Sequence, residues 1–205
     1  LYMILSTLFI WLTRENIDIS TVGLFALTQI PWSLKFTWAP FIDSYKIPIL
    51  SNYLGQRKSW LLITQILLIF SLILLGFSNP AENLILTASF ALLTAFFSAN
   101  QDIIIDAFRI EILEDELQGA GAAATQFGYR VGGIIAGAGS LYLKSIFSWS
   151  QVFVSIAVVI LFLMILSIFV LKTNSHRKQK NQGRLLAPFK EFISRNSIKN
   201  LIVIL

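Results

Sequence analysis

The chain has 205 residues, 56% of them hydrophobic and only 13% charged, with no cysteine and a formal net charge of +5. An ordinary soluble domain carries about a quarter charged residues, so the composition excludes a water-soluble globular core. The missing cysteines exclude disulfides, thiolate chemistry and cysteine-ligated metals. The positive charge would suggest a nucleic-acid partner only if it gathered on one surface.

Apolar runs recur at about the 20-residue length that a bilayer-crossing helix needs, which predicts an all-α, polytopic transmembrane helical bundle. In chain order, the end of one span falls at residues 1–12. Further spans follow at 22–42, 60–77, 84–108, 122–143 and 151–171, and another begins near Ile198. That is six hydrophobic segments and the start of a seventh. Residues 1–171 therefore form a transmembrane bundle with a truncated first helix, 172–197 a basic linker and 198–205 the start of the seventh helix. Leu1 lies inside an apolar stretch and LIVIL (Leu201–Leu205) stops inside one, so the chain reads as a fragment. Pro31 and Pro40 sit within the second span, which is tolerable where neighbouring helices or water satisfy the freed carbonyls.

Orientation follows from the basic residues in alternate connections. Segments 43–59, 109–121 and 172–199 hold twelve Lys and Arg, against two in 13–21, 79–83 and 144–150. The bias places the first set in the cytoplasm. KTNSHRKQKNQGR (Lys172–Arg184) is accordingly read as a solvated connector rather than a nucleic-acid- or lipid-binding tract, and His176 as solvated within it.

Charges inside the spans are harder to explain. An ionised side chain near the bilayer centre costs about 3 kcal/mol or more, so those that occur face a protein interior or a watery cavity. Lys35 lies in the second span, Asp102 in the cytoplasmic third of the fourth, Asp106 near its end and Arg130 well inside the fifth. Spacings of four and three put Asp102, Asp106 and Arg109 on one side of a helix. Asp106 and Arg109 read either as part of a functional network or as an interfacial pair. Lys35, Asp102 and Arg130 read as functional: opposite charges on separate helices can pair in one conformation and part in another. Asp102 can then exchange protons, because burial favours its neutral form and a nearby cation its charged form.

Gln29, Gln65, Asn100, Gln101 and Gln126 add polar groups, each read individually as a link between helices before a ligand contact. Of the five tryptophans, most lie near span ends in the interfacial belt, and the deeper Trp32 is the candidate for stacking on a ligand ring. Gly128 with Gly132, and Gly133 with Gly137, form small-xxx-small pairs that predict a close helix crossing. No strand precedes them, so they are not read as a phosphate loop.

Three blocks carry a family resemblance: KFTWAPFID (Lys35–Asp43), LGQRKSWLLITQ (Leu54–Gln65), and SANQDIIIDAFRIEIL (Ser98–Leu113) followed by GAGAAATQFGYRVG (Gly119–Gly132). Together they closely resemble the AmpG family of muropeptide permeases within the major facilitator superfamily. Asp43, Gly55, Arg57 and Lys58 resemble that superfamily's loop between its second and third helices. The resemblance implies a major-facilitator bundle of two six-helix halves, of which this chain would supply the first and the start of the second. It implies proton-driven import of GlcNAc-anhydromuramyl peptides across the bacterial inner membrane, by a carrier acting as a monomer without cofactor or metal. Lys35, Gln101, Asp102, Gln126, Arg130 and Trp32 would then serve substrate binding or proton coupling. Asp43, Gly55, Arg57, Lys58, Asp106 and Arg109 would serve gating. The chain departs from the family pattern at Ser44, at Gln56 and in extra residues around SNYL.

Two other functions compete. The same scaffold could carry another amphiphilic anion such as acetyl-CoA, or the chain could be an intramembrane enzyme using Asp102 and Asp106 as metal ligands. The second is weakened by Arg109 on the same stripe and by the lack of a further carboxylate cluster in the spans.

Overall fold

The computed structural model describes residues 3–170. The connector 172–184, His176, the linker 172–197 and the start of the seventh helix lie outside the described residues. The described residues contain helices and turns and no strand.

Among the described residues three helices are long and apolar enough to cross a membrane unbroken: α6 (Gln56–Phe77), α7 (Leu84–Ile112) and α10 (Trp149–Val170). α6 packs against both of the others. At 1.5 Å per residue α7 is ~44 Å long, against a hydrocarbon thickness of ~30 Å. Its end therefore projects, and the helix runs four residues past the predicted boundary at Phe108, carrying Arg109 and Glu111. The side chain of Asn83 caps the other end of α7, accepting from the Leu86 amide at 3.0 Å.

The first, second and fifth predicted spans are broken. The first consists of a π-helical segment, Met3–Leu8, running into α1 (Phe9–Arg14). It ends where Asn16 takes the left-handed conformation (φ 58°), which asparagine tolerates. Asp18 then starts α2 (Ile19–Leu24), accepting from the Ser20 hydroxyl and amide. The hydroxyl bond in particular holds its carboxylate below the ordinary aspartate value.

The second span alternates between helix types. α2 tightens into a 3₁₀ segment, Phe25–Gln29, before α3 (Ile30–Leu34). A second tight segment, Lys35–Thr37, precedes α4 (Ala39–Ser44). The cause is legible in the sequence. A proline lacks an amide proton and its ring collides with the carbonyl four residues earlier. Pro31 and Pro40 thus disturb residues 27 and 36, each inside a 3₁₀ segment.

The fifth predicted span begins as α8 (Gln118–Ile134), widens into a π-helical segment, Ile135–Gly139, and closes as α9 (Ser140–Lys144). The two π segments touch each other. There, Thr7 Oγ1 donates to the Ala136 carbonyl at 3.2 Å and shares a hydrogen bond with Ser140 Oγ at 2.7 Å, with both hydroxyls fully buried.

The connection predicted as a loop at 43–59 is partly helical. It holds α5 (Leu50–Leu54), and α6 begins at Gln56, so Arg57 and Lys58 lie on its first turn. Gly55 joins the two at φ 80°, a conformation that favours glycine. Just before α5, the Leu50 amide donates to the Pro48 carbonyl at 2.7 Å, with Ile49 at φ 67°, ψ −60°. This is the strained form of γ-turn, on a β-branched residue.

Two apolar clusters hold the bundle. The larger contains Leu8, Trp11, Leu12, Leu68, Leu72, Leu75, Trp149 and Phe153. The smaller contains Ile42, Leu61, Ile103 and Ile104. Trp11 and Trp149 stand at span ends as predicted, but they bury themselves, with ring centroids 5.7 Å apart.

The glycine expectation needs correction for its first pair; of the second, Gly137 faces the first span, where an added Cβ would lie 3.5 Å from Ser6 Oγ. A Cβ added at Gly128 or Gly132 would meet nothing within 4 Å, so these residues make no close crossing among the described helices. The close approaches are elsewhere. At Gly76 a Cβ would lie 2.6 Å from Phe153 Cβ, which brings α6 against α10. At Gly121 it would lie 2.2 Å from Leu113 Cδ1.

Candidate functional site

Between the two apolar clusters three broken or long spans converge on one carboxylate. Asp102, on α7 next to Ile103, is only 7% exposed. Lys35 reaches it from the 3₁₀ segment of the second span, and its ammonium pairs with Oδ2. Tyr129 on α8 donates its hydroxyl to Oδ1. Both carboxylate oxygens are thus engaged by donors from two other spans. Lys35 keeps about a third of its side-chain surface exposed (33%), so the cluster has one face toward open space.

Lys35 is itself steadied by Trp32. The ammonium lies 5.3 Å from the centre of the indole ring, within the range of a cation–π attraction. The two residues are three apart on a tight helical stretch, hence on one side. Nearby, Trp38 Nε1 donates to Asn100 Oδ1 at 2.6 Å, and its ring lies 5.3 Å from that of Phe96. This bond ties the second span to α7 directly beside the ion pair.

Of the six residues predicted for substrate or proton, Lys35 and Asp102 are joined and Trp32 adjoins them. Arg130 does not join: it is exposed and makes no hydrogen bond or ion pair among the described residues. Successive helical residues point about 100° apart, so where Tyr129 faces Asp102, Arg130 faces away. Gln101 is half-buried and Gln126 exposed, and neither has a hydrogen-bond partner among the described residues. Tyr129 was not among the residues expected from the sequence. The signal was available in GYR, beside the arginine that drew attention, but a neutral side chain does not stand out in an apolar helix.

Two of the six residues expected to serve gating, Asp43 and Arg57, belong to a second cluster. Arg57, 9% exposed, donates from Nη1 to Asp43 Oδ1 at 2.6 Å. It also donates from Nε and Nη2 to Glu111 Oε1 at 2.9 and 2.6 Å. One guanidinium therefore clasps the end of α4 to the projecting end of α7, using the fixed fork of donors that arginine offers. Glu111 was the unforeseen member, one residue ahead of the acidic run ILEDE (Ile112–Glu116). Gln56 reinforces the clasp, donating from Nε2 to the Asp43 carbonyl at 2.7 Å. Lys58 reaches instead to the Ile168 carbonyl on α10 at 3.5 Å. Asp106 and Arg109 form a pair within α7 at 3.6 Å, more exposed than Asp102 and separate from it.

This arrangement opposes the metal-enzyme reading. Asp102 has both oxygens occupied by Lys35 and Tyr129, and Asp106 faces Arg109. Among the described residues no three carboxylates or imidazoles gather as a metal site.

Comparison with known proteins agrees on the scaffold. The family model described as Major Facilitator Superfamily matches residues 1–205. A Rickettsia bellii protein named putative transporter AmpG 1 is 40% identical over 82% of this chain and 41% of its own length. A Rickettsia felis protein named putative transporter AmpG 4 is 36% identical over 95% of this chain and 49% of its own. The anhydromuropeptide permease of Escherichia coli K12 is 35% identical over 93% of this chain and 39% of its own. The chain thus spans half or less of the length of these curated relatives. No solved structure matches.

Proposed function

The chain belongs to the Major Facilitator Superfamily, and we propose that it is the first six-helix half of a proton-coupled carrier importing anhydromuropeptides, the sugar–peptide fragments of peptidoglycan. Its apolar helices make it a multi-pass protein of the inner membrane. The observation that carries the proposal is the Lys35–Asp102–Tyr129 cluster, a buried carboxylate neutralised by a lysine on a discontinuous span. Carriers of many kinds set their sites at such helix breaks near the midplane. The E. coli relative's name supplies the substrate class.

The proposed chemistry is an exchange of partners. A proton on Asp102 cancels the charge that holds Lys35, and the freed ammonium can take a carboxylate of the substrate. Loss of the proton restores the Lys35–Asp102 pair and expels the substrate's anion. Tyr129, able to donate to the carboxylate or accept from the acid, keeps Asp102 in place through both states. The Asp43–Arg57–Glu111 clasp, on the side assigned to the cytoplasm by its basic loops, holds that end closed while the cluster faces the other way.

Uptake of radiolabelled anhydromuropeptide by cells carrying the full-length protein, with and without an uncoupler, tests this. We expect uptake that the uncoupler abolishes. Equal uptake in both would discard the proton coupling, and no uptake by a correctly inserted protein would discard the substrate.

A further inference from the structure

Gln65 has a buried Oε1 without a hydrogen-bond partner, but among the described residues only Gln29 has both carboxamide atoms buried and unpartnered. Gln56 and Gln118 each close a backbone turn, donating to carbonyls at 2.7 and 2.9 Å, and Gln151 accepts from the Ser148 amide at 2.9 Å. The carboxamide of Gln29 has both its oxygen and its nitrogen buried with no hydrogen-bond partner, and so does the indole nitrogen of Trp32. Buried polar groups are nearly always satisfied, and the expectation that Gln29 links helices fails for want of any such bond. Three orphaned atoms within one turn of helix need another explanation.

Their position supplies it. Gln29, Trp32 and Lys35 follow one another at intervals of three residues along a stretch that is largely 3₁₀ or disturbed helix, which lines them up on one side. Trp32 already touches Lys35, so the unsatisfied carboxamide stands roughly 10 Å along the stripe from the ion pair. A rotation of Gln29 toward a ligand breaks no existing hydrogen bond, because it has none to lose. A carboxamide offers one donor and one acceptor side by side, the complement of a secondary amide.

We infer that Gln29, backed by the Trp32 N–H, forms an amide-recognising subsite beside Lys35, selecting solutes that carry a secondary amide about 10 Å from an anionic group. This rests on the proposed carrier function and deepens it: Lys35 reads the anion and Gln29 the amide. The shared chemistry is the amide, whether it belongs to an N-acetylated sugar or to a peptide link.

The test is equilibrium binding to the purified full-length protein, wild type and Gln29→Met, with three probes. These are an anhydromuropeptide, its peptide-free disaccharide, and that disaccharide with its acetyl groups removed. Loss of a paired amide contact corresponds to a weakening of about tenfold. We expect Gln29→Met to weaken the muropeptide by about that factor and the amide-free probe by less than about twofold. Weakening of the intact disaccharide assigns the sugar amide, and its absence assigns the peptide. Gln29→Leu, which also removes both polar atoms without adding charge, is expected to match the methionine variant, and it serves if that variant misfolds. Equal weakening of all three probes, or no weakening of the muropeptide, overturns the subsite while leaving the carrier intact. Failure of the wild type to bind any probe overturns the proposed substrate and the subsite together.

Discussion

Lys35 and Tyr129 occupy the two oxygens of one carboxylate, that of Asp102, from two different spans. The three spans they tie together are the discontinuous second, the long α7 and the α8 segment. A change in the charge of Asp102 therefore bears on how these spans are held.

Removing one partner of a buried pair strands the other, and for a fully buried pair that costs about 3–5 kcal/mol. Lys35 is a third exposed, so the penalty of Asp102→Asn shrinks to about 1–3 kcal/mol after solvent screening. Thermal unfolding in detergent is expected to show this loss, with part of it recovered in the double variant Lys35→Met, Asp102→Asn. A double variant less stable than the single would show that the pair is not what Asp102 stabilises.

Tyr129→Phe deletes one hydrogen bond to a charged group and leaves the ring. The expected loss is about 1.5–3 kcal/mol. Unchanged thermal stability would mean that the hydroxyl contributes nothing beyond what water supplies.

The glycines permit a paired comparison. Gly76→Ala puts a methyl 2.6 Å from Phe153 Cβ and is expected to destabilise by about 1–3 kcal/mol through overpacking. Gly128→Ala meets nothing and gains helix propensity, up to about 1 kcal/mol. Melting temperatures of the two variants of the full-length protein, shifting in opposite directions, would establish which glycines are packed; a large loss at Gly128 would place a helix of the remaining chain against it.

Arg57→Lys replaces a fork by a point charge that cannot bond Asp43 and Glu111 with the same geometry. Both acids are 40% or more exposed, so the loss of stability is expected to be modest, about 1 kcal/mol, and to diminish in high salt. An equal loss at low and high salt would point to packing of the side-chain stem instead.

Ile49→Gly relieves a left-handed γ-turn on a β-branched residue. The expected gain is about 1 kcal/mol, part of the relief being offset by the greater freedom of an unfolded glycine. Loss of stability in this variant would locate the role of Ile49 in its side chain rather than its backbone.

Much of this was legible in the sequence. The apolar runs announced the spans, and Lys35 and Asp102 stood out because charge in an apolar run is expensive; Pro31 and Pro40 were read as tolerated within a continuous second span, although the span breaks beside both. What escaped was of two kinds. Tyr129 and Glu111 act through geometry that only the packing of spans defines, one being neutral and the other lost among neighbouring acids. The glycine spacing in α8 was read as a close helix crossing, yet spacing does not say which face finds a neighbour. The break at Ile135–Gly139 had no proline to mark it; it coincides with a second π segment across the contact, a relation between residues about 130 apart in sequence.

The central claim is that protonation of Asp102 drives the cycle by releasing Lys35. It is tested most directly in proteoliposomes of the full-length protein, comparing wild type with Asp102→Asn, which mimics the protonated acid. Two quantities are measured: accumulation of labelled anhydromuropeptide under an imposed proton gradient, and exchange of labelled for unlabelled substrate without one. The account predicts that the variant loses accumulation and keeps exchange, since exchange requires no change of charge at Asp102. Accumulation by Asp102→Asn at the wild-type rate would contradict it.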